Sequence, residues 1–293
     1  MLIASCRKSA SSNVYVDPAL ATLAPADTAV LVGARIDKLR DTPVYQKYFS
    51  QTPLPRLDQF AKETGIDPRK DIWEVLFASN GSQSGVLMVR GKFSTGELEP
   101  RLEREGATRS QYKGYGLFGD ERNAMFFMNS STALAGSTPV LKSIIDNRDR
   151  AGAGIPAALQ PLVNSIPANA QFWAVFNGAA IKLPFSDESN LGNLNQFIRS
   201  IESGRFSADL RAGFQLEAVG TCTNDDGARQ IHNALKGLIG FGRLSTPENR
   251  PELLRVYDSI EVKQQGRVVN VAANVPQDVV DSFIGAFVSG RKR

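Results

Sequence analysis

Histidine is almost absent from this 293-residue chain: there is one, His232, beside only two cysteines, Cys6 and Cys222. A zinc site built from these residue types needs three or four ligands. The three present are dispersed in sequence, so such a site is close to excluded and no cofactor is expected. Long apolar runs are also missing. No stretch approaches the roughly 18–20 apolar residues that span a bilayer, so membrane contact is expected only through a lipid anchor or a partner. Nor is there an excess of one charge. The 34 Lys+Arg stand interspersed among 30 Asp+Glu, for a net charge of +4. The densest basic cluster, Arg291-Lys292-Arg293, lacks interleaved aromatics and reads as a solvated terminus, so no nucleic-acid partner is expected. What is there is ordinary: 42% hydrophobic and 22% charged residues, enough to bury a sizeable core without staples.

Catalytic motifs fail on context. Gly114-Tyr115-Gly116-Leu117-Phe118-Gly119 matches G-x-G-x-x-G in letters. A dinucleotide fingerprint follows a strand and opens a helix. Here the glycines lie in or at the end of a strand and lead through Asp120-Glu121-Arg122-Asn123 into another strand, which predicts hairpin glycines. Gly91-Lys92-Phe93 lacks the Ser/Thr and the upstream Gly of a P-loop, and Gly-x-Ser-x-Gly is absent. His232 lies one step round a helix from the apolar Ile231, as a surface or boundary residue would. Asp225-Asp226 fits a helix N-terminal turn, where acids complement the dipole. No catalytic residue and no metal ligand is therefore assigned. Carboxylate-only chemistry stays open, because 30 acids offer many pairs that sequence cannot place.

The first residues carry one address-like feature. Ile3-Ala4-Ser5-Cys6 resembles a bacterial lipobox, and Arg7 to Asn13 is small and polar, as a tether would be. Only five residues precede Cys6, fewer than the basic and apolar leader of a signal peptide. Cys6 is thus the lipidation candidate if a leader lies upstream, and an incidental thiol otherwise.

Self-comparison gives an ordered repeat. Leu23-Ala24-Pro25-Ala26-Asp27 and Ser165-Ile166-Pro167-Ala168-Asn169 each precede an apolar run. Val86 to Phe93 and Gln215 to Cys222 each alternate and then meet a capped helix start, with Gly91 on Gly220 and Phe93 on Cys222. Tyr112 to Phe118 and Ala124 to Ala135, then an apolar helix, match Leu254 to Val262 and Val268 to Val275, then another. The expected fold class is α+β: two tandem copies of a mainly antiparallel sheet with helices on one face. The expected division is a start and tether over 1–19, a first repeat over 20–150, a Gly-rich linker over 151–156 and a second repeat over 157–293. The second repeat carries a polar loop over 186–195. The alignment turns Cys222 into a buried core position. Trp73 and Trp173 sit in strand-like runs and are candidates for ligand or inter-repeat contact.

The passage Thr64 to Ser79 (TGIDPRKDIWEVLFAS), with the later Tyr112-Lys113-Gly114, resembles a recurring segment in exported proteins of unknown function from acidobacteria and related soil bacteria. The resemblance spans about residues 20–150 and the second half loosely. It implies export and a duplicated α+β fold, and it assigns no residue a role. Together these features predict a non-catalytic, lipid-anchored protein on the periplasmic side of the cell envelope. It would act by binding or scaffolding, with an envelope protein or a small apolar ligand as partner. The alternative is a small-molecule or lipid carrier with its cleft between the repeats. A further alternative is an enzyme using carboxylates only.

Overall fold

The computed structural model describes residues 13–50, 53–81, 85–148, 154–178 and 200–290. Cys6, most of the tether, linker residues 151–153 and the polar loop over 186–195 lie outside them. The strands are β1 (Val30–Arg35), β2 (Ile72–Ser79), β3 (Gly85–Gly91), β4 (Arg109–Tyr112), β5 (Tyr115–Gly119), β6 (Asn123–Asn129), β7 (Thr132–Ser137), β8 (Phe172–Asn177), β9 (Ile201–Asp209), β10 (Phe214–Cys222), β11 (Ile260–Gln265) and β12 (Val268–Val275). The helices among the described residues are α1 (Pro18–Ala21), α2 (Ile36–Arg40), α3 (Pro43–Tyr48), α4 (Pro55–Thr64), α5 (Pro68–Asp71), α6 (Thr95–Arg104), α7 (Thr138–Asn147), α8 (Gln160–Val163), α9 (Asp225–Leu244), α10 (Pro251–Asp258) and α11 (Gln277–Gly290).

The fold is α+β, and its strands form one continuous antiparallel sheet in the order β11-β12-β10-β9-β8-β1-β2-β3-β7-β6-β5-β4. The two halves of the sheet meet at β8 and β1, paired antiparallel from Val30–Phe176 to Ala34–Phe172. Outward from β1 the neighbours are β2, β3, β7 and β6; outward from β8 they are β9, β10, β12 and β11. The hairpin β4–β5 is an addition at one edge.

Local chemistry explains where elements start and stop. Asp17 accepts from the Ala19 amide and Pro18 opens α1. Asn224 caps α9 through the Gly227 amide. Gly65 closes α4 in the left-handed region at φ 79, a conformation that glycine adopts without a Cβ penalty. Lys113 and Gly114 both have positive φ and turn β4 into β5, so the G-x-G-x-x-G glycines sit in a hairpin. Two segment boundaries differ from the sequence reading. Ala124 to Ala135 is a hairpin, β6–β7, whose turn is made by Asn129 accepting from the Ser131 amide. Leu254 to Val262 is the end of α10 followed by β11; Pro251 at the first helical turn and Glu252 beside it start that helix.

Side chains alternate across a strand, so the register assigns each to a face. One row runs Ser207, Trp173, Gly33, Leu76, Met88, Leu134 and Phe126 across seven strands. Its apolar members are buried beneath α1, α7 and α8, in a core with Leu20, Leu141 and Ile166. Trp173 is only 1% exposed and lies over Gly33, where a Cβ would stand 2.1 Å from its ring. Among the described residues the opposite face is packed only at its two ends. Near β7, Phe93, Phe127 and Ala133 pack with Leu98 of α6. Near β12, Cys222, Val262 and Val269 pack with Ala228 and Ile231 of α9. Val275 meets α11 and Val44 of α3 in a fourth cluster.

Candidate binding surfaces

The row next along the packed face ends in charge. Arg35 on β1 stands opposite Glu74 on β2, and Glu74 stands opposite Arg90 on β3. A register shift between Ile72 and Glu74 leaves Trp73 unpaired in a bulge. Tyr15, Asp17 and Asp37 complete a recess of about 330 Å³. Arg35 grips Asp37 through Nε and Nη2 at 3.1 and 2.9 Å, and its Nη1 donates to the Tyr15 carbonyl. Arg90 donates to Asp17 at 2.9 Å, to Ser131 Oγ at 2.6 Å and to Thr132 Oγ1 at 2.8 Å. Glu74 Oε1 accepts from the Asp17 amide at 3.3 Å, while Oε2 stays 4.0 Å from Arg35.

Glu74 is 6% exposed. Burial pushes its carboxyl up to about 7, against the opposing pull of the Asp17 amide and of Arg35. At Asp37 burial acts in the same upward sense, but the hydrogen bonds and charge of Arg35 outweigh it and hold the carboxyl below its ordinary value. This cluster fixes the incoming chain on the sheet. The Val14 amide donates to the Ile166 carbonyl at 2.8 Å, and Asn13 bridges to Pro167.

A second buried carboxylate ties the turn before β8 to β9. Asp209 accepts from Asn169, from Gln171 Nε2 at 3.2 Å and from Arg211 at 2.8 Å. Gln171 in turn accepts from the Leu210 amide at 2.6 Å. Burial raises the Asp209 carboxyl, but the Arg211, Asn169 and Gln171 donors prevail and lower it to about 2. A depressed carboxylate supports the fold above its unfolded pKa and loses that support as pH falls. Asp209→Asn is therefore expected to cost about 2 kcal/mol near neutral pH and little at pH 2. Urea denaturation at both pH values checks this; an equal loss at both would contradict the assignment.

The centre of the other face is apolar and open. The register places Ala218, Phe206, Ala174, Val32, Phe77, Leu87 and Ala135 in one row from β10 to β7. Val32, Phe77 and Leu87 are 37–38% exposed, and Phe206 and Ala174 are half-buried. Phe77 lies over Gly85 and Phe176 over Gly204, so each aromatic covers a cross-strand glycine on its own side of the β1–β8 junction. Adjacent apolar side chains exposed on three neighbouring strands form a patch, unlike scattered surface residues. The C-terminal part of α9 adds exposed Phe241 and Leu244.

The sequence candidates fall in different places. Trp173 is sealed in the β1–β8 junction, and Trp73 is 40% exposed in the charged recess. The structure does not bring the two together: Trp173 is walled into the core and Trp73 opens to solvent. Cys6 lies outside the described residues. Cys222 is buried, and burial raises its thiol pKa. His232 is half-buried, with its ring beside Asn233. Asp226 pairs with Arg229 in the first turn of α9. Among the described residues no three His, Cys, Asp or Glu side chains gather as a metal group. No described helix is long and apolar enough to cross a membrane. Sequence reasoning missed Glu74, Arg35 and Arg90, although each shares strand parity with core residues such as Leu76, Leu31 and Met88. A charge on core parity was the available signal.

The architecture defines a class: a long antiparallel sheet, packed among the described residues by helices on one face of its first half and at both ends of the other. No protein-family model matches the chain, and no curated protein matches it. Among solved structures it is similar to TP0453. Crystal form III aligns at a TM-score of 0.51 with 11% identity, over 92% of this chain and 99% of that one. Crystal form IV aligns at 0.51 with 9% identity, over 92% and 97%. At such identity the likeness is one of fold.

Proposed function

We propose that this protein is a non-catalytic, lipid-anchored component of the cell envelope that works by binding or scaffolding. The observation that carries the reading is the open apolar row Val32–Phe77–Leu87 at the centre of the sheet. A contiguous apolar row that the described residues leave exposed marks an interaction surface. Supporting it, the lipobox-like start at Cys6 precedes a segment that Glu74, Arg35 and Arg90 lock to the sheet. An anchor there would hold the body through a fixed point. The resemblance to exported proteins over 20–150 agrees with the periplasmic side of the envelope as its place. The matching neighbour order on either side of β1 and β8 supports a duplicated unit.

A second reading, the carrier of a small apolar ligand between the halves, is favoured by one fact. The open row straddles the β1–β8 junction, where the two halves meet. Native mass spectrometry of gently purified protein separates the two. A co-purified apolar molecule identifies a carrier, and an apo mass from several hosts counts against one. Turnover of a generic ester, phosphate or peptide substrate by pure protein would sink both and point to carboxylate chemistry, with Glu74 as its natural acid.

A further inference from the structure

The recess beside Glu74 holds an imbalance that chain anchoring does not use. Five ionisable side chains other than Tyr15 face it: the guanidinium groups of Arg35 and Arg90, and the carboxyls of Asp17, Asp37 and Glu74. Four are engaged by short hydrogen bonds, Arg35 with Asp37 and Arg90 with Asp17. Glu74 Oε1 is engaged by the Asp17 amide. Glu74 Oε2 has only Arg35 at 4.0 Å, beyond hydrogen-bond reach. Glu74 is 6% exposed as a residue, and Oε2 is its one carboxylate oxygen without a protein donor, free to accept from a ligand in the recess.

The surroundings select the chemistry of that donor. Trp73, turned out of the strand pairing by the bulge, presents a large aromatic surface in the same recess. Tyr15 stands exposed at its rim. Aromatic faces with a carboxylate attract cations. An anion would have to displace Asp37 from Arg35 or Asp17 from Arg90. With Glu74 ionised the three carboxyls outnumber the two guanidiniums, so one added positive charge brings the group to neutrality. A volume of about 330 Å³ suits a small molecule.

We propose that this recess is a binding site for a small primary amine, its ammonium donating to Glu74 Oε2 and its hydrocarbon part lying against Trp73. The site goes beyond the binding surface proposed above and lies on the opposite face of the sheet. An ammonium also favours the ionised form of Glu74, so binding releases the proton that burial retains. The other charged and titratable groups facing Glu74 are Asp17, Asp37, Arg35, Arg90 and Tyr15. Affinity therefore rises with pH around neutrality.

The test is calorimetric titration of the full chain with benzylamine, with benzoate and benzyl alcohol as controls. Benzylamine is expected to bind, about tenfold more tightly at pH 8 than at pH 6, following the ionised fraction of Glu74. The controls are expected not to bind. Glu74→Gln is expected to weaken benzylamine at least about tenfold and to abolish the pH dependence. Trp73→Leu, which leaves the carboxylate intact, is expected to weaken binding while keeping the pH dependence. No benzylamine binding to the wild type, equal binding by Glu74→Gln, or equal binding of benzoate would each overturn the proposal. Circular dichroism of each variant establishes that it is folded. Variants at Phe77 and Leu87 are expected to bind benzylamine as the wild type does.

Discussion

Truncating Trp173 to alanine is expected to destabilise the protein by about 3–5 kcal/mol, the range for removing a large buried aromatic ring. The ring fills the space that Gly33 leaves on β1, and it touches the core that α1, α7 and α8 complete. Its loss opens a cavity at the pairing that joins the two halves of the sheet. Domains are usually stable by only about 5–15 kcal/mol, so a large share of the total is at stake. Trp73→Ala is expected to cost far less, about 1 kcal/mol, because that side chain is 40% exposed. Urea unfolding followed by far-ultraviolet circular dichroism measures both without relying on tryptophan emission. Similar losses for the two would contradict the different roles assigned here. Adding a side chain at Gly33 attacks the same junction from the other strand. Gly33→Val is expected to be comparably damaging, since the ring has no room to retreat.

Glu74→Gln should do the reverse at neutral and higher pH. The native carboxyl titrates near 7 against an ordinary value of 4.5, because burial disfavours its charge. Between those values the folded protein holds a proton that the unfolded chain has released. Stability therefore falls as pH rises from about 4.5 to about 7, and is level above that. The difference corresponds to about 3 kcal/mol. Glutamine keeps the acceptor for the Asp17 amide and removes the buried charge. The variant is expected to be more stable by roughly 2–3 kcal/mol at pH 8 and nearly unchanged at pH 4.5. Parallel stability profiles for the two proteins would show that Glu74 carries no buried charge.

Much of the fold was readable from alternation and caps. The matched ends of β3 and β10 put Phe93 and Cys222 in equivalent packed places, each against the helix that follows its strand. Gly65 ended α4 where a glycine in the left-handed region should. The joining of β1 to β8 was not readable. Backbone hydrogen bonds make that pairing, and any strand edge offers the same donors and acceptors. Two other boundaries failed for local reasons. The turn between β6 and β7 is built from Asn129 and serines, without Gly or Pro, so Ala124 to Ala135 reads as one strand. The valine and tyrosine of α10 imitate a strand, although Pro251 and Glu252 announce a helix.

The sites were less legible than the fold. Glu74 could have been found from parity, since it alternates with Trp73 and Val75 and falls in step with Leu76 and Ala78. The open row could not. β1, β2 and β3 are apolar on both parities, as strands covered on both faces are. Which parity is left uncovered depends on where α6 and α9 cross, and they cross only the ends of the sheet.

The most direct test of the account is titration with Nile red, an uncharged apolar dye, of the wild type and of a Phe77→Lys, Leu87→Lys double variant. Both positions are already solvent-exposed, so the variant is expected to fold, with unchanged circular dichroism. The account predicts saturable dye binding to the wild type and at least about a tenfold loss of affinity in the variant. Equal binding by the two folded proteins would contradict the assignment of the central row as the binding surface.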